Sequence, residues 1–416
     1  MSNFIFFAVP LFGHVNYGIK IAKRLVRKGH RCYYFSGERY KNLVVSSGLC
    51  FCPYAKRIEA LFSEKNSTYQ TETMSTGEEK SIDYIEEMWK LSIHLFTIMR
   101  ILSEEDMERI RRLKPDGIVY DNIAIWGRLV AKKLDIPCFS SGTPYCYNDQ
   151  MFQEYAEEFT TLLSNGSSSI AQPFLPVLRM YNRILRRRFP EFSEYSITMN
   201  YSGSGDINFI YTVPSFQLHP ELIDLHKNSF TGILMDEDDF REDIKPYISK
   251  MQKNIYIALG TIYNNRLLYR KCVNALRDFD ANVIMSIGET NSIEDLSPLP
   301  KHWKVRNSFP QISILRYADV FISHGGINSL REAAHFAVPT VVFPQTGDHF
   351  LGAEDVKRTG TGYVLNNQAT EQEIVQAVQR CLNTENIRLA CDALSSEMRR
   401  AGGLEKVVDV IESTVC

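Results

Sequence analysis

The chain has 416 residues, of which 44% are hydrophobic and 23% charged, and its formal net charge is −2. It is too long for one compact α/β core and comfortable for two, and its composition is that of a folded globular protein. There is no strongly basic segment of domain size. This argues against nucleic acid as the main partner, because phosphate neutralisation dominates such binding.

Cysteine usage and apolar runs indicate the compartment. The nine cysteines include no C-x-x-C pair and no His/Cys group with zinc spacing, so we expect free thiols in a reducing compartment and no bound metal. The apolar segment 4–12 is too short to cross a membrane, and no other run approaches the ~20 residues that a spanning helix needs. We therefore expect a cytoplasmic protein without a transmembrane segment, as a monomer or a homodimer.

The first half alternates strands with helices. Val15, Ile19, Ala22 and Val26 fall at helical spacing after a turn at residues 10–14, which predicts a helix that follows the first strand. Segments 58–112 and 146–199 are helical and aromatic in character and are predicted to be insertions on this half. The predicted strands are residues 4–9, 32–35, 117–120 and 137–140.

The second half repeats the pattern. After the strand at residues 255–259, Leu268, Cys272, Ala275 and Phe279 share one helical face. Near the end, Thr370 and Glu373 form a capping box ahead of a helix that should run to about Leu382. The other predicted strands of this half are residues 283–287, 320–323, 340–343 and 362–365.

Each half thus begins with a strand, a helix and a second strand. This repeated pattern predicts an α/β protein with two doubly wound, Rossmann-like domains. We assign residues 1–234 to the N-terminal domain, 235–253 to an exposed acidic linker and 254–402 to the C-terminal domain. Residues 403–416 are predicted to form a helix that packs back on the N-terminal domain.

The strongest local signal lies in residues 321–332. A buried strand ends, Gly325 and Gly326 allow close backbone approach, and a helix is predicted to begin near Asn328. Free amides and the positive end of the helix dipole meet there and favour an anion, with His324 and Ser329 as further donors. A diphosphate leaving group needs such a site because negative charge grows on it. The alternative is a tight turn in which Asn328 is a simple N-cap.

Two further polar groups are predicted at the carboxyl ends of strands, where open α/β sheets bind ligands. Asp348 and His349 follow the strand at residues 340–343 and could bind sugar hydroxyls, although a surface turn explains them equally well. His14 follows the first strand, beside Gly13, which could permit an unusual turn, and an imidazole there could act as a general base. Asp121 could fix its tautomer, could cap the following helix, or both.

Together these residues resemble family 1 glycosyltransferases of the GT-B fold, especially the bacterial macrolide and natural-product branch. The resemblance covers nearly the whole chain and is strongest over residues 305–365. It is carried by four motifs in the right order: Ala258-Leu-Gly-Thr261, Phe309-Pro-Gln311, His324-Gly-Gly-Ile-Asn-Ser329 through Glu332, and Pro344 through Asp348.

The resemblance implies two domains that face an interdomain cleft and a role for each matched residue. His14 matches the general base and Asp121 its partner, while Asp348 and His349 match the pair that reads the donor sugar. Glu332 matches the ribose ligand, and Gln311 lies with Ser308 and Phe309 in the stretch that lines the nucleobase. The residues that match the diphosphate site are Thr261, His324, Gly325, Gly326, Asn328 and Ser329.

Two positions depart from the family pattern. The family usually places an aromatic ring three residues before Gln311, where this chain has Ser308, so either Phe309 supplies the stacking face or base affinity differs. The usual sugar-reading pair is Asp-Gln, whereas this chain has Asp348 and His349. The nucleobase and the sugar therefore stay open, with glucose, galactose, N-acetylglucosamine and a deoxysugar as alternatives.

The implied function is inverting transfer of a sugar from a nucleoside diphosphate, with UDP expected, to a hydroxyl of a small apolar acceptor, without a metal or cofactor. Aromatic residues of the first half, among them Trp89, Tyr145 and Tyr147, are candidates for the acceptor site, or they pack the core. A non-catalytic nucleotide-sugar-binding protein and a sugar-nucleotide epimerase of the same fold remain alternatives.

Overall fold

The structure is a computed structural model with two compact units. The first unit comprises Met1–Thr212, His219–Leu234 and Gly402–Cys416, and the second comprises Val213–Leu218 and Met235–Ala401. The residues described are 1–59, 102–143, 145–163, 174–188, 190, 195–196, 198–240, 242–260, 265–345 and 347–415.

The first unit contains a seven-stranded sheet in the order β3-β2-β1-β4-β5-β6-β7. All six strand pairs of this sheet are parallel. The register aligns Phe4 with Gly117 and Phe7 with Tyr120, so β1 and β4 end at the same level. The strands are β1 (Asn3–Phe7), β2 (Arg31–Ser36), β3 (Cys50–Pro53), β4 (Gly117–Asp121), β5 (Cys138–Thr143), β6 (Ile207–Ile210) and β7 (Asn228–Phe230).

The strand order reverses between β1 and β4, and such a switch point is where open α/β sheets bind ligands. The helices described here are α1 (Phe12–Arg27), α2 (Lys41–Ser46), α3 (Lys56–Glu59), α4 (Glu104–Arg112), α5 (Trp126–Leu134), α6 (Asp149–Glu154), α7 (Ala156–Leu163), α8 (Phe174–Arg188) and α9 (Met199–Ser202).

Helix α1 lies close to the sheet and brings its first turn to the switch point. A Cβ at Gly18 would lie 2.4 Å from the Tyr34 hydroxyl, so only glycine allows this approach. The buried Lys20 ammonium donates a hydrogen bond to the Leu234 carbonyl at 3.0 Å. The predicted turn at residues 10–14 was too long, because the helix already begins at Phe12. Gly13 lies inside this helix, and its φ is not among the positive values.

The second unit contains a six-stranded sheet in the order β10-β9-β8-β11-β12-β13. Its five strand pairs are parallel, and the switch point falls between β8 and β11. This is the strand order 3-2-1-4-5-6 of a dinucleotide-binding fold. The strands are β8 (Asn254–Ala258), β9 (Asn282–Ser286), β10 (Lys304–Arg306), β11 (Val320–Ser323), β12 (Thr340–Val342) and β13 (Gly362–Val364).

Three helices of this unit begin at a residue whose side chain caps them: Asn265, Ser292 and Thr370. The predicted capping box is confirmed: the Thr370 hydroxyl accepts from the Glu373 amide at 3.2 Å, and Glu373 accepts from the Thr370 amide at 2.7 Å. The helices are α10 (Arg266–Leu276), α11 (Ile293–Leu296), α12 (Gln311–Leu315), α13 (Ile327–His335), α14 (Asp348–Thr359), α15 (Glu371–Asn383) and α16 (Glu385–Arg400).

The segment 235–253, expected to be an exposed linker, packs as part of the second unit. Asp236 and Ile244 are buried, and Ile244 joins a core cluster with Phe309 and Phe321. The Ser313 hydroxyl donates to the Asp239 carbonyl at 2.8 Å. The acidic composition of this segment predicted exposure to solvent. In the structure, the segment contains two short 3₁₀ turns, Glu237–Phe240 and Lys245–Tyr247, and packs against the core of the second unit.

The last helix, α17 (Gly403–Val415), packs on the first unit. Its apolar face, with Leu404, Val407 and Ile411, joins the core cluster that contains Phe4 and Val15. At its other face, Asp409 pairs at 2.8 Å with Lys28, the residue that follows α1. Both contacts fix the helix against α1.

Among the described residues, none of the helices is long and apolar enough to cross a membrane. Within the same residues the cysteines are free thiols, and no group of three or more His, Cys, Asp or Glu side chains could hold a metal ion.

Candidate active site

A histidine and an aspartate meet at the switch point of the first sheet. His14 lies in the first turn of α1, and Asp121 is the last residue of β4. The two side chains, predicted to pair, are joined by a 2.8 Å contact between Nδ1 and Oδ1. The imidazole is 27% exposed and the carboxylate 4%. Of this pair, solvent therefore reaches the imidazole, while the carboxylate is its buried partner.

Backbone amides satisfy the buried carboxylate. Oδ2 of Asp121 accepts from the Val9 amide at 3.2 Å, and Oδ1 accepts from the Ile123 amide at the same distance. Three donors in all compensate for the loss of water around a buried charge. The predicted capping of the following helix is not seen, because Ile125 occupies the N-cap position of α5.

The carboxylate controls the charge of His14. Burial alone would lower the pKa of the imidazole, but the charge of Asp121 and the hydrogen bond to it raise the pKa above its ordinary value of 6.5. This contribution to stability is fully present below the unfolded pKa of about 6.5 and is lost as pH rises through the higher folded pKa. Because Nδ1 donates to Asp121, Nε2 keeps its lone pair in the neutral imidazole and can accept a proton.

The second sheet carries the glycine turn at its own switch point, between β11 and α13. Gly325 has φ +92°, a conformation that side chains rarely adopt, and a Cβ there would lie 2.9 Å from the His349 carbonyl oxygen. Gly326 occupies the N-cap position of α13. A glycine cap has no side chain to accept from the first helical amides, so these amides can serve an anion. The predicted N-cap role of Asn328 is wrong, since the helix begins one residue earlier.

The His324 ring is held between two glycine backbones. A Cβ at Gly326 would lie 2.5 Å from Nε2 of His324, and one at Gly260, where φ is +101°, would lie 3.1 Å from it. Gly260 follows β8 and Gly326 follows β11. The loops after the two central strands of this sheet therefore lie on either side of the His324 ring. Sequence reasoning assigned Gly260 no role, although the Ala-Leu-Gly-Thr motif contains it.

A second imidazole packs on the first. The rings of His324 and His349 are perpendicular, with centroids 4.6 Å apart. Burial, followed by the influence of His349, lowers the pKa of His324 to about 3, and burial lowers that of His349 to about 4. Both rings are therefore neutral at pH 7. His324 can donate a hydrogen bond to an anion without carrying a charge.

The two residues predicted to read the donor sugar have different surroundings. His349 is 5% exposed and packs against His324, which is not the surface turn that we considered. Asp348 is the first residue of α14, and burial raises the pKa of its carboxyl group. Asp348 is partly buried, whereas the His349 ring lies against His324.

Helix α13 brings further predicted residues together. The Gln311 side-chain amide donates to the Ser329 hydroxyl at 3.0 Å and to the Glu332 carboxylate at 2.7 Å. Three residues that were predicted to contact different parts of a nucleotide thus form one hydrogen-bonded group.

The sequence patterns predicted no role for Arg331. It is 1% exposed, and its guanidinium donates to Oδ1 of Asn328 at 2.6 Å. The bond fixes the Asn328 side-chain amide with its NH₂ group away from the guanidinium. Asn328 and Arg331 are three residues apart on one helix, and this spacing is the sequence pattern that could have predicted their contact.

The nucleobase stretch differs from expectation. Ser308 is exposed, whereas the Phe309 ring is buried in the core with Tyr247, at a centroid distance of 5.1 Å. The Arg306 guanidinium lies 5.2 Å from the Phe309 ring. Phe309 therefore packs the core and presents no open face for stacking.

The aromatic candidates for the acceptor site are also packed. Tyr145 and Tyr147 are buried and stack at 5.3 Å, and Tyr147 meets Phe159 edge-on at 4.9 Å. Both tyrosines therefore pack in the core, which was the alternative considered for them. Trp89 and Thr261 lie outside the described residues.

Comparison with known proteins agrees with this fold. Residues 270–413 match the model of the erythromycin biosynthesis protein CIII-like C-terminal domain. The NDP-glycosyltransferase YjiC of Bacillus subtilis is 28% identical over 97% of this chain and 95% of its own length. The demethyllactenocin mycarosyltransferase of Streptomyces fradiae is 26% identical over 99% and 86%.

Solved structures show the same architecture. The kitacinnamycin glycosyltransferase superposes with a TM-score of 0.77 at 20% identity, covering 100% of this chain and 99% of the other. The calicheamicin glycosyltransferase CalG4 gives 0.74 at 22% identity, covering 100% and 98%. The predicted resemblance to natural-product glycosyltransferases is confirmed: the chain is a glycosyltransferase with the GT-B fold.

Replacing Asp121 with Asn should lower the pKa of His14 below 6.5. The amide removes the charge that raises this pKa, and burial then acts with little opposition. The pKa is measured by NMR titration of the ring protons, with assignment from the signal that a His14→Ala variant loses. An unaltered His14 pKa would show that the pair does not control its charge.

Proposed function

We propose that this glycosyltransferase moves a hexose, with inversion, from a nucleoside diphosphate to a hydroxyl group of a small apolar natural product. The observation that carries the proposal is the imidazole of His14, held at 2.8 Å by a buried carboxylate and placed beyond the central strands of its sheet. The glycine turn of the second unit supplies the complementary chemistry. Both groups have to reach the same sugar when the reaction takes place.

His14 acts as the general base. As the acceptor oxygen forms its bond to the anomeric carbon, its proton passes to Nε2. Asp121 stabilises the resulting imidazolium and keeps Nδ1 protonated. An imidazole with a raised pKa is a stronger base.

The leaving diphosphate takes the electron pair of the broken bond between the anomeric carbon and oxygen. We assign its binding to the α13 amides with His324, Asn328 and Ser329, and to Thr261 from the family resemblance. Amide dipoles and neutral donors stabilise growing negative charge without reorganising. Gly325 and Gly326 keep the backbone accessible.

In this proposal, neighbouring residues bind the ribose and the sugar of the donor. Glu332 binds the ribose hydroxyls, and Gln311, which already bonds to Glu332 and Ser329, holds this carboxylate in place. Asp348 binds hydroxyl groups of the sugar, while His349 supports the His324 ring. UDP is the expected nucleotide. Curated relatives named as a UDP-glucosyltransferase, YojK of Bacillus subtilis, and as NDP-glycosyltransferases support a nucleoside diphosphate donor.

The acceptor class rests on relatives whose names refer to macrolides and other natural products, among them an oleandomycin glycosyltransferase of Streptomyces antibioticus. We assign the cytoplasm as the site of action, because the buried cysteines of the described residues are free thiols. A pure nucleotide-sugar-binding protein would not need a base whose tautomer is fixed.

Transfer should proceed at its full rate in excess EDTA. Neutral donors and helix amides neutralise the leaving group in this proposal, so no divalent ion takes part. Turnover is followed by release of nucleoside diphosphate, with added Mg²⁺ as the comparison. Loss of turnover in EDTA that Mg²⁺ restores would contradict the metal-independent mechanism.

The His14→Ala variant should lose about 10²–10⁴-fold in kcat, because removal of a general base typically has this effect. The KM for the donor should stay near its wild-type value, since His14 makes no donor contact in the proposed mechanism. Rates come from an acceptor panel with mass detection, starting from the donors that a thermal-shift screen of nucleotide sugars selects. His226→Ala, at an exposed position of the same unit, is the control. Near-wild-type turnover on a hydroxyl acceptor would rule out His14 as the base.

Gly326→Ala should weaken nucleoside diphosphate binding by about 10- to 100-fold, corresponding to loss of one hydrogen bond to a charged group. The new methyl group would meet the His324 ring at 2.5 Å from Nε2 and displace it. Affinity is measured by calorimetry with UDP. In a His324→Ala background the same glycine substitution should have little further effect, because the two changes share one cause. Additive losses would show that Gly326 acts independently of His324.

A further inference from the structure

A chain of hydrogen bonds leads from the His14–Asp121 pair to Tyr54, a residue just beyond β3. The Tyr54 side chain is buried at 6% exposure, and its hydroxyl donates to the Ala8 carbonyl at 3.0 Å. The Ala8 carbonyl and the Val9 amide belong to one peptide group. That amide donates to Oδ2 of Asp121 at 3.2 Å, and Oδ1 meets His14 at 2.8 Å. One planar peptide thus joins the phenol to the carboxylate.

This peptide lies just past the last residue of β1, Phe7. Its carbonyl is held by a side chain, so its orientation depends on Tyr54. A planar peptide transmits orientation directly, because rotating its carbonyl also rotates its N–H bond. In a buried site, each bond of such a chain also polarises and strengthens the next.

We propose that Tyr54 is a positioning residue for the catalytic pair, which orients the Asp121 carboxylate through the Ala8–Val9 peptide. This inference rests on the proposed role of His14 as the base. Tyr54 touches neither substrate in this scheme and acts only through Asp121.

The surroundings suit a fixed donor. The Tyr54 ring meets Trp126 edge-on at 5.9 Å and lies 6.4 Å from Phe35, and its backbone amide donates to the Ser36 carbonyl at 3.3 Å. Burial raises the pKa of the phenol well above 10. The hydroxyl group therefore remains a protonated donor throughout the working range of the enzyme.

The test is Tyr54→Phe, which keeps the ring and removes only the hydroxyl group. We expect kcat to fall about tenfold, less than the ~10²-fold loss that a 1 Å misplacement can cause. The KM for the donor should not change. In NMR titrations, the pKa of His14 should fall toward 6.5 as the carboxylate loses its fixed orientation. A general loss of stability would not produce this shift.

Tyr34→Phe is the matched control. Tyr34 is also fully buried and also donates to a main-chain carbonyl, that of Val15 at 2.8 Å, but this peptide is not bonded to Asp121. We expect a comparable decrease in stability with kcat and the His14 pKa close to wild type. Equal changes in both variants would show that any buried tyrosine bond in this unit has the same effect and would overturn the inference.

The two proposals fail in different ways. Wild-type kcat and His14 pKa in Tyr54→Phe, together with a large loss in His14→Ala, would remove only the positioning role. Wild-type activity in His14→Ala would remove the proposed base. A change of the His14 pKa in Tyr54→Phe would then still demonstrate the hydrogen-bond coupling, because the titration does not depend on turnover.

Discussion

The burial of one carboxylate governs the first half of the proposed reaction site. Asp121 is 4% exposed, and a buried charge destabilises a protein unless donors replace the lost water. Two amides and the His14 imidazole supply them. The contact with Asp121 raises the pKa of the imidazole and sets its tautomer. Satisfying Asp121 and raising the pKa of His14 are therefore one structural requirement, met where β1 and β4 end side by side.

The two sheets use the same topological position for opposite electrostatics. In the first, the fourth strand ends in the ionised Asp121, which raises the pKa of a neighbouring imidazole. In the second, the corresponding strand β11 is followed by His324, whose pKa burial lowers to about 3. A charged pair suits proton abstraction, whereas a neutral donor beside helix amides suits a diphosphate. Strand order places both groups, and local burial decides which chemistry each can perform.

Sequence periodicity predicted the two parallel sheets because buried strands and amphipathic helices leave direct patterns. It also placed His14, Asp121 and the glycine turn, since residues after adjacent strands share one edge. It did not predict what depends on packing in three dimensions. The phenol of Tyr54 reaches Asp121 through a peptide 46 positions away in sequence, and the exposed linker expected at residues 235–253 is packed on the second core. Contacts of this kind have no periodicity by which to recognise them.

His349 and Phe309 match positions of the family motifs, but their packing in this structure also bears on what they can bind. A residue can read a sugar only if its polar atoms face the ligand, and His349 is 5% exposed against His324. Phe309 is likewise committed to the core, with Arg306 beside its ring. At both positions the side chain already has an intramolecular partner, and binding a ligand would first break that contact. The roles that the family pattern implies for His349 and Phe309 therefore do not follow from the matched motif alone.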